Sequence, residues 1–349
     1  MRGTLNQYFE INRVFILGAG FSYAAGLPLT NDLLPLIHRQ ASQMQYGDEP
    51  WGQAERLLNE LKYYYPNTEF THEKIQGGEF NEQIDIEEFL SFTSADSSFL
   101  YPGDKLTQHG SYFISFCKKW LGEILVNKQI GLLNRIPEFY HDFVRNLNNS
   151  MILTFNWDTV VETLLESNNI PYRYQLNSRD YESRNKSIPL IKMHGSIDWV
   201  SKPEIWKNEE HLKFESIGDE FTNIVKAKGI LKDFYERMYY PWIVLPNYDK
   251  ITQLSNYGKT WETPGRYLND NLEIVIIGYS LRPDDFHSRS FIYPELVHQS
   301  RRGCLKVKIV DFAKSKKKEK EIKERFKGIE NCKFWFNGFS QEALNFINE

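Results

Sequence analysis

The chain has 349 residues, of which 41% are hydrophobic, 25% charged and 15% aromatic, with a formal net charge of −4. That length suits one large domain or one domain with a substantial insertion, and the slight acidity argues against a general nucleic-acid-binding surface. Cys117, Cys304 and Cys332 have neither the spacing of a zinc clip nor that of a redox pair. With no disulfide framework to read, the cytoplasm is the default compartment. Met1 to Asn12 is polar without a signal-peptide core, and no apolar run is long enough to span a membrane.

Val14 to Leu17 is a short apolar run that ends in Gly18-Ala19-Gly20, the pattern of a buried strand running into a tight turn. From about residue 30 to 150 the apolar spacing is helical, in Trp51 to Tyr64, Leu106 to Val126 and Glu138 to Leu147, which predicts a helical insertion or subdomain. Its aromatics, among them Tyr63, Phe113, Phe116 and Trp120, suit either subunit contact or internal packing. Five further runs resemble the first: Met151 to Phe155, Pro189 to Met193, Trp242 to Leu245, Ile274 to Ile277 and Val307 to Val310. Short runs that are apolar on both faces predict central strands of a parallel sheet covered by helices on both sides. A second, polar insertion with turn signals and a helical stretch is expected over roughly 201 to 240. Lys314 to Lys327 predicts a charged helix, whose Lys316-Lys317-Lys318 alternates with Glu319, Glu321 and Glu324 as a solvated face does. An aromatic segment, Phe334-Trp335-Phe336, follows. The expectation is a single α/β domain, a Rossmann-like doubly wound, mostly parallel sheet with a large helical insertion.

In an open α/β sheet, ligands bind at the carboxyl ends of the strands, and four such ends carry polar or glycine motifs. Gly18, Ala19, Gly20 and Ser22 follow the first strand, with Gly26-Leu27-Pro28 beyond. Glycines there let the backbone approach a pyrophosphate, and Ser22 can offer a hydroxyl. The spacing departs from G-x-G-x-x-G, so a turn without ligand stands beside that reading. Asn156 and Asp158 follow the second run, where Asp158 can meet a ligand or cap the next helix and Asn156 can simply shape a turn. His194-Gly195 ends the third, as a general base or a structural histidine. Gly278-Tyr279-Ser280 ends a fourth, followed by Arg282, Asp284, Asp285 and His287, which are either site residues or caps and surface groups.

Taken together, Gly18-Ala19-Gly20-x-Ser22 with Gly26-x-Pro28, Asn156-x-Asp158, His194-Gly195 and Gly278-x-Ser280 resemble the sirtuin family in content and order. The resemblance covers the sheet-forming parts, about half the chain. No cysteine lies between Cys117 and Cys304, so the zinc ribbon of protein-deacylating sirtuins is missing, and Leu29-Thr30-Asn31 stands where those enzymes carry Asp-Phe-Arg. The wording is similar to zinc-free sirtuin-like proteins of bacterial anti-phage defence, as is the segment Ile84 to Leu90. The resemblance implies an NAD hydrolase releasing nicotinamide and ADP-ribose, with no zinc and no other metal. Asn156 would position water, and His194 would polarise a ribose hydroxyl or accept the water proton. Gly18, Gly20 and Ser22 would lie at the pyrophosphate, Asp158 at the nicotinamide ribose, and Gly278, Ser280 and Asp311 at the adenosine half. It also implies homo-oligomers and a partner such as a HerA-type ATPase. A protein deacylase, an ADP-ribosyltransferase and a non-catalytic NAD or ADP-ribose sensor are the rival functions.

Overall fold

The computed structural model describes residues 11–43, 52–81, 83–98, 105–132, 135–174, 187–201, 213–217, 224–228, 240–245, 273–282, 285–303 and 305–349. Strand β1 (Arg13–Leu17) runs into a short helix α1 (Ala19–Ala24). Helices α2 (Leu33–Ser42), α3 (Ala54–Tyr64), α4 (His72–Gln76), α5 (Ile86–Ser98) and α6 (Lys105–Leu132) follow. Then come α7 (Glu138–Arg145), β2 (Ser150–Thr154), α8 (Val160–Ser167), β3 (Tyr172–Tyr174) and β4 (Ile188–Lys192). Strands β5 (Gly195–Ser201), β6 (Lys213–Ser216), β7 (Ile224–Lys228) and β8 (Pro241–Ile243) precede β9 (Glu273–Ile277). The remainder is α9 (Phe286–Arg301), β10 (Lys306–Val310), α10 (Lys316–Arg325), β11 (Cys332–Trp335) and α11 (Gln341–Asn348).

Seven strands form one sheet in the order β11-β10-β9-β1-β2-β4-β3, every pair parallel. Alternation along each strand divides its apolar residues between two layers. Phe15, Leu17, Val275 and Ile277 pack with α7, α8 and α11 through Phe143, Leu164 and Leu344. Val14, Ile16, Ile274 and Ile276 pack on the other face with α9 and α10 through Ile292, Leu296 and Ile322. This is the Rossmann-like α/β fold expected from the sequence. The edge strands β3 and β11 were not legible there: each is short, aromatic and only partly buried.

The expectation for Trp242 to Leu245 is corrected. Trp242 and Ile243 lie in β8, which pairs antiparallel with β5 in a second sheet of order β6-β7-β5-β8. A short apolar run shows burial, and here the burial is against helices: Ile243 and Leu245 join the core of α2 to α6. The chain passes from one sheet to the other at Gly195, where φ is +76 and a Cβ would stand 2.2 Å from the Trp242 carbonyl oxygen. The described parts of 201–240 are strands β6 and β7, and the helical stretch expected near Met238 lies outside the described residues. Of the aromatics between β1 and β2, Phe113 and Trp120 are fully buried and Phe116 packs against the same core, whereas Tyr63 is exposed; Trp51 lies outside the described residues.

Candidate functional site: a cleft at the carboxyl ends of the sheet

The ends of β1, β2, β4 and β9 open onto a cleft with about 990 Å³ of empty space, part of it open to solvent. Gly18, Ala19, Ser22, Asn156, Asp158, His194, Gly278 and Ser280 all line it, although 260 residues separate the first from Gly278. Gly20 and Asp311 are not among the lining residues.

The glycines serve the protein before any ligand. Gly18 N–H donates to the Ile277 carbonyl at 3.0 Å, Gly20 N–H to the Gly278 carbonyl at 3.1 Å, and Phe21 N–H to the Gly18 carbonyl at 2.9 Å. A Cβ on Gly18 would stand 2.6 Å from the Gly278 oxygen, and one on Gly20 2.7 Å from the Gly278 Cα. Gly278 has φ +65, and its Cβ would stand 2.3 Å from the Phe21 nitrogen. Those distances are not tolerated by real atoms, so the turn after β1 and the turn after β9 require glycine to touch one another. Of the two readings open from the sequence, a pyrophosphate turn and a turn without ligand, both need this close packing; Gly18, Ala19 and Ser22 line the cleft.

Asn156 is tied down by its amide. Nδ2 donates to the Gly18 carbonyl and to Ser22 Oγ, both at 2.9 Å. A backbone carbonyl only accepts, so the nitrogen must be the atom on that side. Both amide hydrogens are thereby committed, and Asn156 offers a bound molecule its carbonyl oxygen, an acceptor. Ser22 in turn bonds the Asp158 carboxylate, and Asp158 Oδ1 accepts from Val160 N–H at 3.0 Å. Asp158 thus lines the cleft and also bonds the first backbone N–H of α8. Burial pushes the Asp158 carboxyl above its ordinary range, opposed by the Lys192 ammonium and by the bonds from Ser22 and Val160.

Beneath Asp158 lies a buried ion pair. Lys192 Nζ, fully buried, donates to Glu162 Oε1 at 2.9 Å and to the Asp158 carbonyl at 2.5 Å. Asp198 is buried beside it and faces Lys226 at 3.6 Å. Burial raises the Asp198 carboxyl, and the Glu162 charge adds to that rise while Lys192 and Lys226 oppose it. The end of β2 is thus held by charges that have no water to relax into.

His194 is buried at the back of the cleft. Its ring meets Phe155 edge to face at 5.1 Å, and Phe155 stacks on Tyr279 at 4.5 Å. His194 Nε2 lies 3.4 Å from Ser288 Oγ. Ser288 donates to Asp285 Oδ1 at 2.8 Å, and the Tyr279 hydroxyl donates to Asp285 Oδ2 at 3.0 Å. Burial, and then the adjacent Asp285 carboxylate, raise the Tyr279 hydroxyl well above its ordinary pKa. Tyr279 and Ser288 were not singled out from the sequence, because neither residue type reads as functional without its neighbours. Asp285, open from the sequence as a site residue or a cap, lies at the N-terminus of α9 and also lines the cleft. Asp284 lies outside the described residues.

Ser280 lines the cleft and accepts from Arg325 Nη1 at 3.0 Å. Asp311 ends the next strand, where its Oδ1 takes Phe312 N–H at 2.7 Å. Burial raises its carboxyl, while the Phe312 bond and the Arg325 and Lys318 charges lower it. Asp311 is therefore linked to the cleft through Arg325 without lining it. The opposite wall comes from the helical segment: Leu33, Glu87 and Leu125 face the strand ends, and Asp85 reaches Arg282 at 3.7 Å. The cleft combines an apolar lining of Leu27, Phe155 and Trp157 with the polar groups of Asn156, Asp158, His194 and Arg282, the mix of apolar wall and a few placed polar groups that ligand pockets show. Among the described residues, no three His, Cys, Asp or Glu side chains come together as a metal would require, and no helix is long and apolar enough to cross a membrane.

Residues 150–291 match the family model of the SIR2-like domain. That stretch is similar to a SIR2-like domain, as the motifs indicate, and such a domain points to NAD-related activity. The matched stretch contains Asn156, Asp158, His194, Gly278 and Ser280. The Gly18 to Ser22 turn precedes it in sequence but is bonded to it through Asn156 and Gly278. No curated protein matches the chain.

Proposed function

We propose that the chain is an NAD glycohydrolase and that the strand-end cleft is its active site. The observation that carries the reading is the pairing in one cleft of His194 with an Asn156 whose amide hydrogens are both committed to the protein. When bound, NAD supplies a nicotinamide that leaves with the electron pair of its glycosidic bond and an anomeric carbon that takes up a water oxygen. The Asn156 carbonyl oxygen accepts a hydrogen from that water and so holds its lone pair toward the carbon. His194 receives the water proton. A positioned acid–base group of this kind contributes about 10²–10⁴ in rate. Asp158 accepts from the ribose hydroxyls, and the apolar lining excludes bulk water.

On the resemblance of the motifs, we further assign the chain to anti-phage defence as an abortive-infection effector. Its activity would be restrained by assembly with itself or with a HerA-type ATPase. The test is to incubate the purified chain with NAD and follow nicotinamide and ADP-ribose together, over protein concentrations from nanomolar to micromolar with light scattering alongside. Equal amounts of the two products support hydrolysis. Nicotinamide without free ADP-ribose would indicate transfer to an acceptor, and neither product at any concentration would remove the assignment.

A further inference from the structure

Three groups beside His194 have no role in that reading: Ser288, Asp285 and the Tyr279 hydroxyl. Ser288 is completely buried on α9, within one turn of Asp285. Oγ donates to Asp285 Oδ1 at 2.8 Å and also bonds the Tyr279 hydroxyl, so its single hydrogen is directed away from the imidazole. Toward His194 Nε2, 3.4 Å away, the same oxygen can offer only a lone pair. The facing ring nitrogen then carries the hydrogen, which is the Nε2–H tautomer of the neutral imidazole. The other oxygen of Asp285 holds the Tyr279 hydroxyl at 3.0 Å. Tyr279 supports Phe155, and Phe155 supports the imidazole. One carboxylate thus acts on the histidine twice, through a hydroxyl on its nitrogen and through two rings on its face.

We propose that Asp285, acting through Ser288, is a positioning residue for His194 that fixes the neutral imidazole as the Nε2–H tautomer. The inference rests on the reading of His194 as proton acceptor in NAD cleavage. When His194 takes a proton from water, the imidazolium charge faces Asp285 across the Ser288 hydroxyl. A partner that orients a histidine and fixes its tautomer governs its chemistry without touching the reacting atoms.

The test is nitrogen NMR of the full chain labelled at histidine, without ligand, with the His194 signals identified by their loss in His194→Gln. The ring nitrogen shifts distinguish the two neutral tautomers. In the unsubstituted protein the Nε2–H form should exceed the other by about tenfold or more at pH values above the ring's titration. Ser288→Ala should reduce that ratio several-fold. Asp285→Ala should shift it further toward Nδ1–H, because the Ser288 hydrogen becomes available to Nε2. In the NAD assay both variants should lose about tenfold in kcat with KM changed less than about twofold. An unchanged tautomer ratio in both variants, or an unsubstituted protein already in the Nδ1–H form, overturns the proposal. If the ratio responds as described but the unsubstituted protein releases no nicotinamide, the positioning role stands and the hydrolase reading fails instead.

Discussion

The same parallel strands end in two different ways. At their amino ends, Arg13 and Lys308 flank Glu273, at 2.6 Å and 2.7 Å, around a wide, open and polar groove. Turns there use Asn149 and Asn331 at positive φ, a conformation a short polar side chain tolerates. At their carboxyl ends the strands meet glycine against glycine, and each polar side chain is bonded to another: Asn156 to Ser22, Ser22 to Asp158, Ser288 to Asp285. The Arg13–Glu273 pair at the amino ends is partly solvated, whereas the carboxyl ends bond their polar groups to one another in the cleft. Chemistry needs the second kind of end, because a group that must reorganise during reaction loses the benefit of being in place.

The largest effect should come from the carboxyl ends. Asn156→Ala and His194→Ala should each lower NAD cleavage by about 10²–10⁴ while circular dichroism and melting remain near those of the unsubstituted protein. Near-normal turnover in both would erase the functional contrast between the two ends. Next, Lys192→Met removes the cation from a fully buried pair and leaves Glu162 without its ammonium. Breaking such a pair costs about 3–5 kcal/mol, read from the urea midpoint at constant slope. A loss below about 1 kcal/mol would mean that the charges beneath Asp158 behave like surface ones.

How much of this contrast could be read from the sequence depends on what each residue does alone. Val14 to Leu17, Met151 to Leu153 and Ile274 to Ile277 announce buried strands because burial on both faces leaves an unbroken apolar run. The polar residues that follow announce a site because strand ends are where such sheets bind. Trp242 to Leu245 has the same local pattern but a different partner sheet, since pairing is a long-range choice that four residues do not encode. Ser288 and Tyr279 gain their meaning from Asp285 and His194, and the bond from Ser288 to His194 spans 94 residues. The glycines were legible as a close approach, but what they approach, each other, was not.

The smallest effect should come from the amino ends. Burial acts to raise the Glu273 carboxyl, but the Lys308 bond and the Arg13 charge outweigh it and hold the pKa below its ordinary value. A carboxyl lowered in the folded state stabilises it above the ordinary glutamate range. That contribution fades as the pH falls through the lowered folded value. Glu273→Gln should therefore cost about 1 kcal/mol at neutral pH, with the difference from the unsubstituted protein closing in acid and the NAD cleavage rate unchanged. A pH-independent difference, or a fall in cleavage, would show that the two ends are not separable in this way.

The most direct test of the account is the position of NAD itself in a crystal structure of the His194→Ala protein. The account predicts NAD across the strand ends, with the nicotinamide ribose within hydrogen-bonding reach of the Asn156 carbonyl oxygen and the Asp158 carboxylate, and the pyrophosphate beside Ala19. NAD bound elsewhere on the molecule, or a cleft that stays empty at millimolar NAD, would contradict it.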